Sequence, residues 1–299
     1  MLQYFGCALA WWFNVGVQIF LCISGFLYGT KHITNVPRFY YNRIKKILVP
    51  YYVTILPFAL LEAVFARNMF QWQNFARALL LNSTLVGAEH LWFVPTIILC
   101  YIITPILQCY RDEYVGRQSK KILLMGISIM VVTIYFKLFN NFFNPANICC
   151  YIIGYFIGSI KKVADFRMKY LTVYVGIIAF IGNAFQIFLE YVKHFSFRGS
   201  EFIYSYCHVA LGVFLFLFLK HIFDQGNLNN NRKTEKVLRL SDKYSYEIYL
   251  VHQLVILGPF SLMSITNSYF INLFIAVVAI CTFSFFVKIV EQNVLKMLR

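Results

Sequence analysis

The chain has 299 residues, of which 60% are apolar and only 13% are charged, and its formal net charge is +15. Soluble domains average about 25% charged residues, so this composition excludes an ordinary soluble protein. The cations fall in short segments between apolar runs, where membrane topology and anionic lipid account for them. We therefore predict one all-α domain, residues 1–299, built as a polytopic transmembrane helix bundle. We expect contact with membrane lipid and no nucleic-acid partner.

Nine apolar segments are candidates to span a bilayer, since a transmembrane helix needs about 20 mostly apolar residues. The segments cover residues 9–29, 47–66, 91–110, 122–138, 148–160, 170–189, 203–221, 244–262 and 270–289. The fifth segment is short, and we expect it to extend backward through Pro145 or to lie tilted within the bundle. The sequence thus predicts about nine spans.

Lysine and arginine are unevenly distributed between the two sides that these spans define. One side carries 22 of the 27 basic residues, and the other carries 5. Cytoplasmic loops are enriched in Lys and Arg, so the side with 22 is predicted to be cytoplasmic. The C-terminus is then cytoplasmic and, with nine spans, the N-terminus lies outside.

Short motifs in the chain indicate helix packing rather than a soluble-type active site. Two apolar segments contain GxxxG, at Gly25 to Gly29 and at Gly154 to Gly158, which predicts close contact between helices. The eight cysteines form no CxxC pair and show no metal-ligand spacing, so we interpret them as buried small residues and expect no metal. The sequence has no GxSxG, GxxxxGK[ST] or HExxH string, which argues against a soluble-type hydrolase or an ATPase.

A strongly basic stretch separates the first two predicted spans. We place it in a loop, with the second apolar helix beginning at about Ile47. Its five cations are Lys31, Arg38, Arg43, Lys45 and Lys46. They are typical of a cytoplasmic membrane loop, and the same cations could hold a polyanion such as a phosphorylated cofactor through charge-assisted hydrogen bonds. Both interpretations remain open at this point.

Polar side chains recur on one face of the eighth predicted span. Ser245, Tyr249 and His252 are spaced i, i+4 and i+7, so they share a helix face. His252 lies about eight residues into the span, roughly 12 Å from its cytoplasmic end at 1.5 Å per residue. Ionisable residues at membrane depth are costly and are therefore functional candidates. The face either lines a polar cavity or the histidine donates to a carbonyl of a neighbouring helix.

A second polar cluster opens the third predicted span, in the string EHLWFVP. Glu89, His90 and Trp92 fall within one helical turn at the outer mouth of the bundle. Trp92 is also typical of the aromatic belt at a membrane interface. We treat all three as candidates for lining a substrate cavity, with His90 as a second candidate base.

Three stretches of the chain form a recognisable set of motifs. The first is NVGVQIFLCISGFLYG followed by RFYYNRIKKILVPYY, the second is HLWFVPTIILCYIITPIL, and the third is SYEIYLVHQLVI. In this order, within residues 15–255, they resemble the acyltransferase-3 family of bacterial membrane-bound O-acyltransferases, and the resemblance covers nearly the whole chain.

The resemblance implies about ten helices in the bacterial cytoplasmic membrane. It implies transfer of an acyl group, often acetyl, from cytoplasmic acyl-CoA to a hydroxyl of an extracytoplasmic glycan or lipid-linked sugar. Arg38 and Arg43 match the arginines thought to hold the coenzyme A phosphates, and we add Lys45 and Lys46 to that donor site. His90, Trp92, Tyr249 and His252 match conserved block positions.

The chain departs from the family at its start. The family's first helix carries a basic residue and then a catalytic histidine, whereas nothing before Trp11 matches and no histidine precedes His32. We expect either that the reading frame begins upstream of Met1, which we favour, or that this is a shortened and inactive homologue. In this sequence only His252 or His90 could serve as the general base, and we expect little transfer by the chain expressed alone.

Two other functions remain open alongside the acyltransferase. The chain could transport or flip a glycan intermediate, with its basic segments acting only as topology signals. It could also be an inactive homologue that binds a partner in polysaccharide assembly. Detection of acyl-CoA-dependent transfer would distinguish an acyltransferase from both of these alternatives.

Overall fold

The computed structural model describes residues 14–82, 84–113, 118–139, 143–160, 165–189, 200–225 and 232–298. Within these ranges the secondary structure is helical and contains no strand, which confirms the all-α prediction. Ten α-helices are described, namely α1 (Gly16–Gly29), α2 (Val36–Phe65), α3 (Trp72–Leu79), α4 (Phe93–Glu113), α5 (Gln118–Phe139), α6 (Pro145–Ser159), α7 (Asp165–Ile187), α8 (Ser200–Gln225), α9 (Arg232–Ile256) and α10 (Tyr269–Met297). Short 3-10 turns occupy Glu89–Trp92 and Leu262–Ser264.

The described helices have the length and composition of a membrane bundle. Six segments are long and apolar enough to cross a bilayer, and they lie in α2, α4, α5, α7, α8 and α10, with the α4 segment beginning at the 3-10 turn. The shorter apolar helices α1 and α6 coincide with the first and fifth predicted spans. Residues 9–13, where the first predicted span begins, lie outside the described residues.

The eighth predicted span has different bounds in the structure. Instead of residues 244–262, the helix is α9, which begins at Arg232 and ends at Ile256. Gly258 and Pro259 follow the last turn, and neither residue favours continuing a helix. The first half of α9 is charged, so this helix is only partly apolar.

The predicted basic loop is largely the start of helix α2. Asn35 caps this helix, since its side chain accepts a hydrogen bond of 2.9 Å from the backbone N–H of Arg38, and Pro37 occupies the first turn. The expectation of a helix start near Ile47 was therefore wrong, because capping residues and not hydropathy decide where a helix begins. Of the five cations, only Lys31 lies in the short connection before α2.

The helices form two compact units. One comprises Met1–Thr34 and Ile102–Asn227, and the other comprises Asn35–Tyr101 and Leu228–Arg299. Each unit is described by itself below, and the single-domain organisation stays a prediction.

In the first unit, α1 and α6 pack backbone to backbone through their glycines. A methyl group at Gly25 would overlap the carbonyl oxygen of Tyr151 on α6, and one at Gly154 would overlap that of Cys22 on α1. Gly29 and Gly158 make the equivalent approaches one turn later. Both GxxxG motifs therefore mediate close helix contact, as predicted.

The second unit aligns α2 and α9 in parallel. The Tyr246 hydroxyl donates to the carbonyl of Ile47 (3.1 Å), and further along both helices the Phe58 ring lies close to Gly258. We call the starts of these helices, Val36–Lys46 and Arg232–Lys243, the basic end. We call the opposite end, where α2 and α9 finish, the histidine end.

Helices α4 and α10 run in the opposite direction within this unit. The ring of Tyr101 on α4 lies 6.4 Å from that of Phe39 at the basic end, although α4 begins at the histidine end. The Tyr41 hydroxyl donates to the carbonyl of Leu298 (3.0 Å), which places the end of α10 at the basic end. The unit thus brings the start of α4 beside the last turns of α9.

Candidate functional site

Two histidines that are distant in sequence meet at the histidine end of the second unit. The ring centroids of His90 and His252 lie 5.0 Å apart with their planes at 73°. His90 is held by the 3-10 turn that precedes α4, and His252 is held by the last turn of α9. The structure therefore brings both predicted candidate bases into one place.

Hydrogen bonds to the backbone connect the His90 turn with α9. The Nε2 atom of His90 donates to the carbonyl of Leu250 at 3.2 Å. In the other direction, the Tyr249 hydroxyl donates to the carbonyl of His90. The Tyr249 ring also packs 5.4 Å from His90 and 5.1 Å from Phe93. These reciprocal bonds fix how the two histidine rings face each other.

For the neutral form of each imidazole ring, the same backbone contacts select one tautomer. The Nδ1 atom of His252 lies 2.7 Å from the carbonyl of Tyr249. A carbonyl can only accept, so His252 carries its proton on Nδ1 and has its lone pair on Nε2. By the same reasoning, the contact with Leu250 leaves the lone pair of His90 on Nδ1. That Nδ1 atom is buried and has no hydrogen-bond partner among the described residues.

The two rings differ in their access to solvent. His90 is buried, with 7% of its surface exposed, while His252 is half-buried. A base must come within about 2.6–3.2 Å of the proton that it removes. His252 is therefore the more accessible of the two candidate proton acceptors.

His252 lies closer to the far end of its helix than the predicted span of residues 244–262 implied. We expected it about eight residues into a span of residues 244–262, roughly 12 Å from that span's cytoplasmic end. Because α9 ends at Ile256, His252 is only four residues from the end of its helix, or about 6 Å. It consequently shares the histidine end with His90.

Of the other predicted cavity residues, two flank the histidines and one does not. Glu89 and Trp92 lie in the same 3-10 turn as His90, and both are exposed. Ser245 is exposed, donates to the carbonyl of Asp242 (3.1 Å), and lies two turns before His252 on α9. The shared helix face therefore does not bring Ser245 to the histidine pair.

Sequence reasoning missed Glu62, a carboxylate near the last turn of α2. Glu62 is 0% exposed, and neither carboxylate oxygen has a hydrogen-bond partner in the described part of the chain. It interacts electrostatically with Glu89, which places it at the histidine end. The available signal was a single carboxylate inside the apolar segment 47–66, since ionisable residues in a span are functional candidates.

The predicted donor-site cations lie together on the first turns of α2. Arg38 and Lys46 are exposed, and Arg43 and Lys45 are half-buried. The Lys45 ammonium lies 4.3 Å from the centroid of the Tyr41 ring, a cation–π contact. The structure thus places these four residues at the basic end, remote along the helices from the histidine pair.

A buried ionic cluster joins α9 to α10 next to this basic end. The Nζ atom of Lys288 lies 2.9 Å from a carboxylate oxygen of Glu247 and 2.9 Å from one of Glu291. Both carboxylates are buried, at 1% and 5% exposure. Two buried carboxylates share one ammonium here, and Glu291 also interacts with Lys46 of the donor-site cations.

Comparison with known proteins supports one family. The sequence model of the acyltransferase-3 family, described as an acyltransferase domain, matches residues 4–289. Searches among curated proteins and among solved structures find no match. The family match covers almost the whole chain and includes both histidines, the basic end and, among the described residues, all or most of each of the six helices of membrane-spanning character. The chain therefore belongs to the acyltransferase-3 family of integral-membrane acyltransferases.

Proposed function

We propose that this chain transfers an acyl group, most simply acetyl, from cytoplasmic acyl-CoA to a hydroxyl of an extracytoplasmic glycan or lipid-linked sugar. Family membership supports acyl transfer in general. The observation that carries the specific proposal is the histidine pair, in which Nδ1 of His252 faces the Tyr249 carbonyl and Nε2 is left as the acceptor of the neutral ring. The pair lies near the end of a helix that begins among cations. Such an enzyme would modify polysaccharides of the bacterial cell envelope.

The donor binds at the basic end in this proposal. Arg38 and Arg43 form charge-assisted, bidentate hydrogen bonds to the phosphates of coenzyme A, and Lys45 and Lys46 add positive charge. The pantetheine arm then extends along the second unit toward the histidine end, where the thioester reacts.

His252 acts as the general base in the transfer step. Its Nε2 takes the proton of the acceptor hydroxyl as the oxygen attacks the thioester carbonyl, so a C–O bond forms. The C–S bond then breaks, and the departing thiolate of coenzyme A takes that proton from the imidazolium. The Tyr249 carbonyl holds the ring in the productive tautomer through Nδ1. His90 packs against the His252 ring and limits its orientation.

The sidedness of the reaction follows from the charge distribution. The side with 22 basic residues contains the basic end and faces the cytoplasm in this proposal, where acyl-CoA is found. The histidine end then faces the outside, where the acceptor arrives. The protein is accordingly placed in the bacterial cytoplasmic membrane with a cytoplasmic C-terminus.

The test is acyl transfer by the purified chain in nanodiscs, with radiolabelled acetyl-CoA and a membrane glycan fraction as acceptor. Because the histidine pair supplies a base, this proposal predicts transfer, whereas the sequence alone led us to expect little. His252→Ala should abolish labelling of the glycan. His32→Ala is the matched control, since His32 is exposed and pairs with Asp112 in the first unit. Transfer that survives His252→Ala would refute the proposed base. Transfer that requires an added N-terminal helix with its own histidine would place the base there, and glycan movement without labelling would support a transporter.

A further inference from the structure

Helix α9 carries a second group of cations at the basic end, separate from those on α2. Lys236, Arg239 and Lys243 are spaced i, i+3 and i+7, so they form a stripe on one face of the helix, and all three are exposed. They border an open groove of about 320 Å³, whose other described lining residues are Glu235 and Leu240. We call these three cations the α9 stripe.

The α9 stripe lies at the same axial level as the cations of α2. The bond between Tyr246 and the carbonyl of Ile47 sets the register of the two parallel helices. Lys243 precedes Tyr246 by three residues and Lys236 precedes it by ten, so the stripe begins about 5 Å and ends about 15 Å before that bond. Arg38 to Lys46 cover nearly the same interval on α2.

The stripe and His252 are carried by one continuous helix. At 1.5 Å per residue, His252 lies about 14 Å from Lys243 and about 24 Å from Lys236 along the helix axis. Coenzyme A has its phosphates at one end of an extended pantetheine arm and its thioester at the other, over a comparable length. A ligand whose phosphates bind the stripe can therefore present its thioester near the histidine end.

Both groups of cations have internal partners. On α2, Lys45 stacks on Tyr41, and Lys46 interacts with Glu291 of the buried ionic cluster. On α9, Lys243 lies 5.1 Å from the centroid of the Tyr244 ring, and Glu235, the one carboxylate among the described lining residues of the groove, bonds Arg239 at 2.6 Å. Three cations and one carboxylate leave the groove positively charged.

We infer that the α9 stripe binds the ribose 3′-phosphate of the acyl-CoA donor, while the α2 cations bind its pyrophosphate. The pyrophosphate is attached directly to the pantetheine arm, whereas the 3′-phosphate is on the far side of the ribose. Two separate basic surfaces at one axial level match these two anionic groups. This inference rests on the proposed function, which names acyl-CoA as the ligand. Because the stripe and His252 lie on the same helix, α9 sets the distance from the 3′-phosphate to His252.

The first experiment compares donors with and without the 3′-phosphate. The wild-type chain should show a KM about tenfold lower for acetyl-CoA than for acetyl-dephospho-CoA, as expected from one or two charge-assisted contacts. Lys236→Gln/Lys243→Gln should lose this preference, and Lys236→Arg/Lys243→Arg should keep it. Arg67→Gln/Arg77→Gln, which removes two exposed cations elsewhere in the same unit, is the matched control. An unchanged preference in the glutamine variant would overturn the inference.

A binding measurement keeps the inference testable even if the chain shows no transfer. Adenosine 3′,5′-diphosphate should bind the wild-type chain in zwitterionic nanodiscs more tightly than adenosine 5′-phosphate, and Lys236→Gln/Lys243→Gln should remove the difference. Such a result without any acyl transfer would support the site and refute the proposed activity. If the glutamine variant instead binds the nucleotide normally but loses a dependence on anionic lipid, the stripe contacts lipid phosphates and the inference is wrong.

Discussion

The hydroxyl of Tyr249 donates to the backbone carbonyl of His90, so a side chain of α9 fixes the turn that precedes α4. The reciprocal bond from His90 Nε2 to the Leu250 carbonyl closes the connection at 3.2 Å. Together the two bonds hold the imidazole rings face to edge. The geometry of the histidine pair thus depends on a side-chain hydroxyl that takes no part in the proposed proton transfer.

Removing only the Tyr249 hydroxyl should loosen this arrangement. We expect Tyr249→Phe to lower the free energy of unfolding by about 1 kcal/mol, the value of a typical buried hydrogen bond, and to lower kcat more than it raises KM. Tyr52→Phe is the control, because it removes a hydroxyl that donates to the carbonyl of Leu79 at 2.9 Å away from the histidines. Equal losses of kcat in both variants would show that the Tyr249 bond does not position the pair.

Replacing the Glu62 carboxyl group with an amide should stabilise the protein. Its carboxylate is fully buried without a hydrogen-bond partner in the described ranges, and an uncompensated buried charge is costly. We expect Glu62→Gln to raise the free energy of unfolding by about 1–2 kcal/mol, and thermal unfolding in nanodiscs measures it. Glu89→Gln, at an exposed position, should change it by less than about 0.5 kcal/mol. If Glu62→Gln instead destabilises the protein, the Glu62 carboxylate makes a hydrogen bond that stabilises the fold.

The glycine contacts between α1 and α6 predict a large effect of a single methyl group. Gly25→Ala should destabilise the protein by about 1–3 kcal/mol, because the new Cβ atom overlaps the Tyr151 carbonyl and the helices must separate. Gly126→Ala is the contrasting variant, since its Cβ atom would meet nothing within 4 Å, and alanine favours helix. Similar thermal unfolding of the two variants would contradict the close packing.

We expect both the charge and the planar geometry of the Arg43 guanidinium to contribute to binding of the acyl-CoA donor. We expect Arg43→Ala to weaken acetyl-CoA binding by about 1–3 kcal/mol, the range for a charge-assisted hydrogen bond. Arg43→Lys should recover only part, because an ammonium does not reproduce the planar guanidinium fork. Isothermal titration in nanodiscs measures both, with Arg67→Ala as a control at an exposed arginine just beyond the end of α2. Unchanged affinity in both Arg43 variants would leave the α2 cations as topology signals alone.

The charge bias predicts which side of the membrane each segment faces. A cysteine introduced at Gln118 should react with an impermeant thiol reagent only from the cytoplasmic side, and one at Asn74 only from the outside. Because the chain has eight native cysteines, labelling is read as the increase over the parent chain in inverted and right-side-out vesicles. The opposite pattern would reverse the proposed sides of donor and acceptor.

The sequence by itself determined the fold class, the family and the positions of most helices. Runs of apolar residues identify membrane helices because the bilayer imposes a length and a hydropathy on each span locally. Hydropathy predicts the first residue of a helix less well, as α2 shows. Asn35 and Pro37 are readable start signals, but the cations that follow them resemble a loop when only hydropathy is weighed.

Only the tertiary structure decided which polar residues act together. His90 and His252 were singled out separately, but their 5.0 Å approach depends on how α4 packs against α9. Ser245 shares a predicted helix face with His252 and still lies apart from the pair, and Glu62 was not among the predicted candidates although the structure buries it completely. The physical reason is that helix formation and membrane insertion depend on neighbours along the chain, whereas burial, tautomer and ring contact depend on the packing of helices that are distant in sequence.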